Sequence, residues 1–305
     1  MKRAAVIDMG TNTFHLVIAD LSTAGIEIIY KTNVPVRLGE GRLNENIIIP
    51  AAFERGISTL QDFNEQIKKH NAVVVRATAT SAVRSATNGQ EFVDAALKVG
   101  ITIDVINGDQ EATYIYEGVK ATGAIRQRSL IMDIGGGSTE FIICDENGLF
   151  WKKSYNIGAA RLMQAYFKSD PISELDKSAI IDHLSNELGD LKQACNIYIP
   201  LALIGSAGAF ESFAVLLNER LDITTTASAP LDLESYKKLA EQLINSTHEE
   251  RVNRKGLISL RVDMIVMAAI LTNYILEELD LKALYLSTYD LKMGVLHTLV
   301  ESDGQ

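Results

Sequence analysis

Two short segments of this sequence carry the residue types that hold phosphate. The first is Asp8 followed by Gly10-Thr11-Asn12-Thr13; the second is Asp133 followed by Gly135-Gly136-Gly137-Ser138-Thr139 and then Glu140. Glycine lets a backbone come close to a ligand and aim its amide N–H groups at an anion. Thr11, Asn12, Thr13, Ser138 and Thr139 add short side-chain donors. Asp8 and Asp133 stand where a carboxylate can hold Mg2+, directly or through its waters. Laid side by side, residues 6–18 and 131–143 match without a gap: an apolar strand ends in Asp, passes through a Gly/Ser/Thr/Asn turn and returns as a second apolar strand. One such unit alone is equally a plain β-hairpin with a Gly-rich turn. Two in register, each heading its own run of elements, point to an internal duplication. Facing each other, the pair would grip one phosphate chain from both sides.

Other candidates carry two readings each. Glu111 follows an apolar stretch and falls in the first turn of an expected helix. A helix N-terminus favours the ionised carboxylate, so Glu111 is available as a base near neutral pH unless its surroundings are strongly desolvated. It is equally an ordinary first-turn glutamate. Arg84 has the planar guanidinium that suits phosphate oxygens, or is a solvated helix arginine. Arg37 and Arg161 are as well placed for structural ion pairs as for a ligand. His15 aligns with Glu140, but five scattered histidines without HxxxH spacing build no metal site, and His15 reads as a hydrogen-bonded strand residue. Gly205-Ser206-Ala207-Gly208 is a strand-to-helix turn that needs no ligand to exist.

The elements that must position these residues alternate throughout, so the fold class is α/β. Strands are expected at 4–8, 16–20 and 26–30, a buried one at 73–75, and another at 101–106. Pro50 opens a helix with Phe53, Ile57, Leu60, Phe63 and Ile67 on one face; Asn88 caps a second that Gly100 ends; a third covers 109–119. The order then restarts: strands at 130–134, 140–145 and 150–155, helices at 159–167 and 174–194, a strand at 201–204, helices at 233–244 and 262–279, a strand at 283–286 and a last helix at 291–300. The polar, basic stretch 123–128 separates the runs. This gives one domain over 1–124 and a second over 125–289, with the C-terminal helix, about 290–305, packing back on the first.

With 305 residues the chain is comfortable for two cores. A net charge of −10 argues against nucleic acid, where a basic face supplies most of the affinity, yet a few converging cations and amides can still bind a polyanion. No apolar run is long enough to span a bilayer and no secretory signal is visible. Cys144 and Cys195 form no CxxC pair, which fits a reducing cytoplasm. The segment 262–279 is apolar over much of its circumference, which permits a homodimer interface or a buried core helix.

Taken together, the Asp8–His15 and Asp133–Glu140 segments resemble the two phosphate motifs of the exopolyphosphatase / guanosine pentaphosphate phosphatase family of the actin and sugar-kinase superfamily. The likeness continues through Arg37-Leu38-Gly39-Glu40-Gly41, Ala77-Thr78-Ala79-Thr80-Ser81-Ala82-Val83-Arg84, Ile106-Asn107-Gly108-Asp109-Gln110-Glu111-Ala112, Ile157-Gly158-Ala159-Ala160-Arg161-Leu162 and Gly205-Ser206-Ala207-Gly208. The resemblance implies two actin-like (ribonuclease H-like) domains with an interdomain cleft, closing about 123–128. It implies Mg2+ or another divalent cation, and terminal phosphate release from inorganic polyphosphate by attack of water. It makes Glu111 the base, Glu140 a second functional glutamate that binds metal or orients water, Asp133 the metal-linked aspartate and Arg84 a contact of the phosphate chain. Two departures stand out. Gln110 replaces the first of two consecutive acids, and Asp290-Leu291-Lys292-Met293-Gly294 lacks the usual Arg before Glu-Gly. The helical domains that follow in longer members do not follow here, so processive action on very long chains is not expected. Three rivals remain: a guanosine pentaphosphate 5′-phosphohydrolase, a sugar-kinase-like transferase without a clear sugar motif, and a non-catalytic nucleotide or polyphosphate sensor.

Overall fold

The computed structural model describes residues 2–23 and 25–302. Contacts divide the chain into two units, Met1–Gly118 with Leu291–Gln305, and Val119–Asp290.

The first unit opens on three strands, β1 (Lys2–Met9), β2 (Phe14–Ser22) and β3 (Gly25–Val34), each antiparallel to the last. Then come α1 (Pro50–Lys69), β4 (Val74–Ala79), α2 (Ser81–Ser85), α3 (Gly89–Lys98), β5 (Ile103–Val105) and α4 (Gly108–Ala121). Strands β4 and β5 join in parallel, giving the order β3-β2-β1-β4-β5. Ala4–Ile7 are fully buried, as a central strand covered on both faces requires.

The second unit repeats the plan. Strands β6 (Ser129–Ile134), β7 (Thr139–Asp145) and β8 (Gly148–Tyr155) form an antiparallel set. After α5 (Ala159–Tyr166), α6 (Glu174–Glu187) and α7 (Gly189–Tyr198), β9 (Ala202–Ser206) joins β6 in parallel. The chain continues through α8 (Ala207–Leu217), β10 (Ser228–Leu231), α9 (Leu233–Ile244), α10 (His248–Val252), α11 (Met264–Glu278) and β11 (Ala283–Ser287). The sheet order is β10-β11-β9-β6-β7-β8. Read from the hairpin, both sheets run third, second, first, then two parallel strands, the actin-like (ribonuclease H-like) order expected. A last helix, α12 (Leu291–Ser302), packs on β1, β2 and β3.

Several elements differ from expectation for identifiable reasons. The segment 73–75 is not buried: Val73 is 75% and Val75 37% exposed, because β5 pairs only with Ala77–Ala79 and leaves the start of β4 as a sheet edge. The helix expected over 174–194 is two helices; Leu188 leaves helical geometry and Gly189, a weak helix former, starts the next. The buried stripe Ile180, Leu184, Leu188, Leu191 nonetheless runs across the break. Asn88 does not cap α3 with its side chain; it bonds the backbone of Ile48 in both directions, at 3.0 and 2.9 Å. Strand β10 carries Pro230 and is tolerated because it lies at an edge. Helix α11 is buried on nearly every side among α5, α6 and α9, so its apolar circumference is spent inside its own unit. Among the described residues no helix is long and apolar enough to cross a membrane.

Candidate active site

In the first unit the turn between β1 and β2 is closed by the Gly10 amide on the Thr13 carbonyl, at 3.1 Å. A Cβ on Gly10 would press on that same carbonyl. Strand register sets Asp8 directly across from His15, which places both side chains on one face of the sheet. Thr11 is buried; Asn12 and Thr13 are half-buried. The second unit reproduces this arrangement. Asp133 lies across from Glu140, and Gly135 is where a Cβ would meet the Ser138 carbonyl, at 2.9 Å. Ser138 and Thr139 are buried, and the Thr139 hydroxyl donates to the Ile157 carbonyl at 3.2 Å. Among the described residues the amides of Gly136 and Gly137 donate to no protein acceptor.

Both carboxylates of the second unit are withdrawn from bulk water, Asp133 7% and Glu140 1% exposed. A serine hydroxyl bonds each. Ser206 donates to Asp133 Oδ2 at 2.8 Å and reaches the Tyr289 carbonyl at 3.3 Å; Ser154 donates to Glu140 Oε1 at 2.6 Å. Ser154 is not legible as a site residue in the sequence, and Ser206 is visible there only as part of the 205–208 strand-to-helix turn. Register is the missing information, since Ser206 is the parallel partner of Asp133 and Ser154 the antiparallel partner of Glu140.

Glu111 sits in the first turn of α4 and is 6% exposed. Its Oε2 accepts from Arg84 Nη1 at 2.7 Å, and the same nitrogen donates to the Ile106 carbonyl at 3.0 Å. Among the described residues both bonds use one nitrogen, so Nη2 and Nε of Arg84 stay available to phosphate oxygens. Burial pushes the Glu111 carboxyl above its ordinary range, while the adjacent Arg84 charge and hydrogen bond pull it back. The first turn is locked by a reciprocal cap: Asn107 Oδ1 accepts from the Gln110 amide at 2.9 Å, and Gln110 Oε1 accepts from the Asn107 amide at 3.0 Å. Gln110 therefore serves the helix rather than the ligand. Among the described residues the buried Ser81 hydroxyl, one helical turn before Arg84, has no partner.

A model of the Ppx/GppA phosphatase family matches residues 17–303. The chain belongs to this family. A crystal structure of an exopolyphosphatase from Cytophaga hutchinsonii is 38% identical and superposes with a TM-score of 0.95, covering 99% of this chain and 98% of that one. A Haemophilus influenzae protein provisionally named an exopolyphosphatase is 29% identical over 98% of this chain and 92% of its own length. A guanosine-5′-triphosphate,3′-diphosphate pyrophosphatase of Pseudoalteromonas atlantica is 27% identical over 99% of this chain, which spans only 59% of that protein.

Within this Ppx/GppA chain the remaining glycine segment is filled by protein. A Cβ at Gly205 would fall on the Phe210 ring, and one at Gly208 on the Arg261 guanidinium. Arg261 bonds the Gly208 carbonyl and, at 2.9 Å, the Ser212 hydroxyl. Close packing accounts for both glycines without a nucleoside.

Proposed function

We propose that this phosphatase releases the terminal phosphate of inorganic polyphosphate by attack of water, with Glu111 as the general base. The observation that carries the reading is the Glu111–Arg84 pair. A carboxylate on a capped first turn, desolvated and held by an arginine with N–H groups to spare, can take a proton beside a bound phosphate. An incoming polyanion opposes ionisation of Glu111 further, which strengthens it as a base. The turn amides and the side chains of Thr11, Asn12, Thr13 and Ser138 are the proposed phosphate contacts; Thr139, expected among them, instead gives its hydroxyl to the Ile157 carbonyl. Arg84 Nη2 and Nε would bind oxygens on which charge develops.

For Mg2+ the donor set can be tested directly. Among the described residues no three acidic, His or Cys side chains gather in one cluster, so a cage made only of protein is absent. Mg2+ ordinarily takes one or two carboxylates and completes its shell with water and substrate phosphate. Asp133 and Glu140, cross-strand neighbours each anchored by a serine, fit that pattern. Asp8 is the corresponding carboxylate of the first unit. When bound, the ion neutralises charge on phosphoryl oxygens.

We take polyphosphate ahead of guanosine pentaphosphate because the relatives named for polyphosphate share more of this chain's residues, 38% and 29%. The guanosine-named relatives share 27% and 28%. The deciding experiment is phosphate release in Mg2+ across polyphosphates of several lengths and guanosine pentaphosphate, side by side. Release from polyphosphate without an acceptor supports the reading. Preference for guanosine pentaphosphate moves the substrate, and tight binding with no release would make the chain a sensor.

A further inference from the structure

Two motifs, Arg37–Gly39 and Gly158–Arg161, remain without a chemical role, and the backbone amides of Arg37, Gly39 and Gly158–Arg161 bond the phosphate turns. In the second unit the Ala159 amide bonds the Gly135 carbonyl at 2.9 Å. The amides of Ala160 and Arg161 bond the Gly136 carbonyl at 2.9 and 3.1 Å. The Gly158 amide and Arg161 Nε bond the Gly137 carbonyl at 3.4 and 3.2 Å. All three glycine carbonyls are thus turned toward the start of α5. In the first unit the Gly39 amide holds the Thr11 carbonyl at 3.0 Å and the Arg37 amide holds the Asn12 carbonyl at 2.8 Å. Arg37 takes φ 51° at this point, a left-handed conformation uncommon outside Gly, Asn and Asp.

Across a trans peptide, the N–H of a residue points opposite to the carbonyl before it. Holding the carbonyls of 135, 136 and 137 therefore turns the amides of Gly136, Gly137 and Ser138 the other way. Holding those of 11 and 12 does the same for Asn12 and Thr13. A helix N-terminus normally offers its own unpaired amides to an anion. Here the first turn of α5 has committed those amides to the turn.

We infer that Gly158–Arg161 and Arg37–Gly39 are positioning residues. They fix the carbonyl side of each turn so that its amides form the anion-binding face, and the α5 N-terminus is not itself an anion site. This deepens the phosphate-chain reading above and rests on it. Two glycines are required by contact. A Cβ on Gly158 would lie 2.5 Å from both the Gly136 oxygen and the Gly137 nitrogen, in turn backbone that cannot swing aside. A Cβ on Gly39 would strike the Thr11 γ-methyl, the end of a single buried side chain.

The test measures binding of inorganic tripolyphosphate by calorimetry in EDTA, with thermal unfolding as the fold control and steady-state kinetics beside it. Gly158→Ala should weaken binding by about tenfold or more, the loss of roughly one to two well-made hydrogen bonds to an anion. KM should rise while the acid limb of the pH–rate profile, set by Glu111, stays in place. Arg161→Met, which leaves every backbone bond intact, should weaken binding by about threefold to tenfold. Gly39→Ala should weaken it as well, and adding Thr11→Ser, which removes the struck methyl, should restore the affinity of Thr11→Ser alone. Folded Gly158→Ala and Arg161→Met proteins that bind as the parent does would overturn the inference. So would a Gly39→Ala defect that Thr11→Ser does not relieve, or a parent that does not bind tripolyphosphate. If Gly158→Ala does not fold, the other two variants decide. A parent that binds tripolyphosphate but releases no phosphate, with all variants weakened, retains the clamp and removes the hydrolytic reading; a hydrolytic parent with unweakened variants does the reverse.

Discussion

Glu111 is governed by two opposed effects, and their balance can be read from activity against pH. Burial raises its pKa and Arg84 lowers it, with burial the larger. A base must be ionised, so the acid limb of kcat/KM should lie above 4.5, the ordinary value for this carboxyl. Arg84→Met removes the lowering influence, so the limb should move to still higher pH; a shift toward lower pH would contradict the pairing. Glu111→Gln should bind substrate while kcat falls by about two to four orders of magnitude, and near-normal turnover would remove Glu111 from the chemistry. Stability carries the same sign. Between the ordinary and the folded pKa, the folded state keeps a proton that the unfolded chain has lost, so this contribution falls as pH rises through that window. The melting temperature of the parent relative to Glu111→Gln should accordingly decline over that range. The two Asp–Gly turns were legible in the sequence as matched hairpins because residues 6–18 and 131–143 align without a gap, which residue type in one copy alone does not establish. The pairing of Ser206 with Asp133 and of Ser154 with Glu140 was not, since a hydroxyl in a strand has no assigned neighbour until register supplies one.

At the scale of elements, α4 carries Glu111, the proposed base, and is fixed at both ends. Its start depends on the Asn107–Gln110 cap. Gln110→Ala should lower stability by about 0.5–2 kcal/mol in urea unfolding, whereas Gln110→Glu, which can rebuild the same box, should stay within about 0.5 kcal/mol. Loss of turnover in the Gln110→Ala protein without loss of stability would instead give Gln110 a role at the ligand. Further along, α4 is packed by α12 at Gly294, where a Cβ would overlap the Tyr114 carbonyl and lie 3.0 Å from the Gly118 amide nitrogen. Gly294→Ala should therefore push the helices apart and cost about 1–3 kcal/mol. Repeated apolar spacing revealed most elements, including α1, β6 and α11. It failed where a long-range partner decides. The edge at Val73–Val75 depends on how short β5 is, and the commitment of Asn88 to Ile48 depends on a segment forty positions away.

For the whole molecule, the proposed function asks an acidic chain to take an acidic ligand. The chain carries −10 overall, so at long range it repels a polyphosphate; in the proposed reading, attraction comes from backbone amides, Arg84 and a divalent cation. A nucleic-acid-like basic track would release counterions and lose about 10³–10⁵ in affinity between roughly 50 and 200 mM salt. Here the two influences oppose each other, because added salt screens the general repulsion while weakening the few local contacts. Buried amides are screened little, since they act at contact distance. The KM for a polyphosphate of moderate length, at fixed free Mg2+, should accordingly change by only about threefold or less over that range. A fall in affinity of a hundredfold or more would require a stripe of basic side chains engaged with the chain, and would move recognition from the glycine turns to the surface.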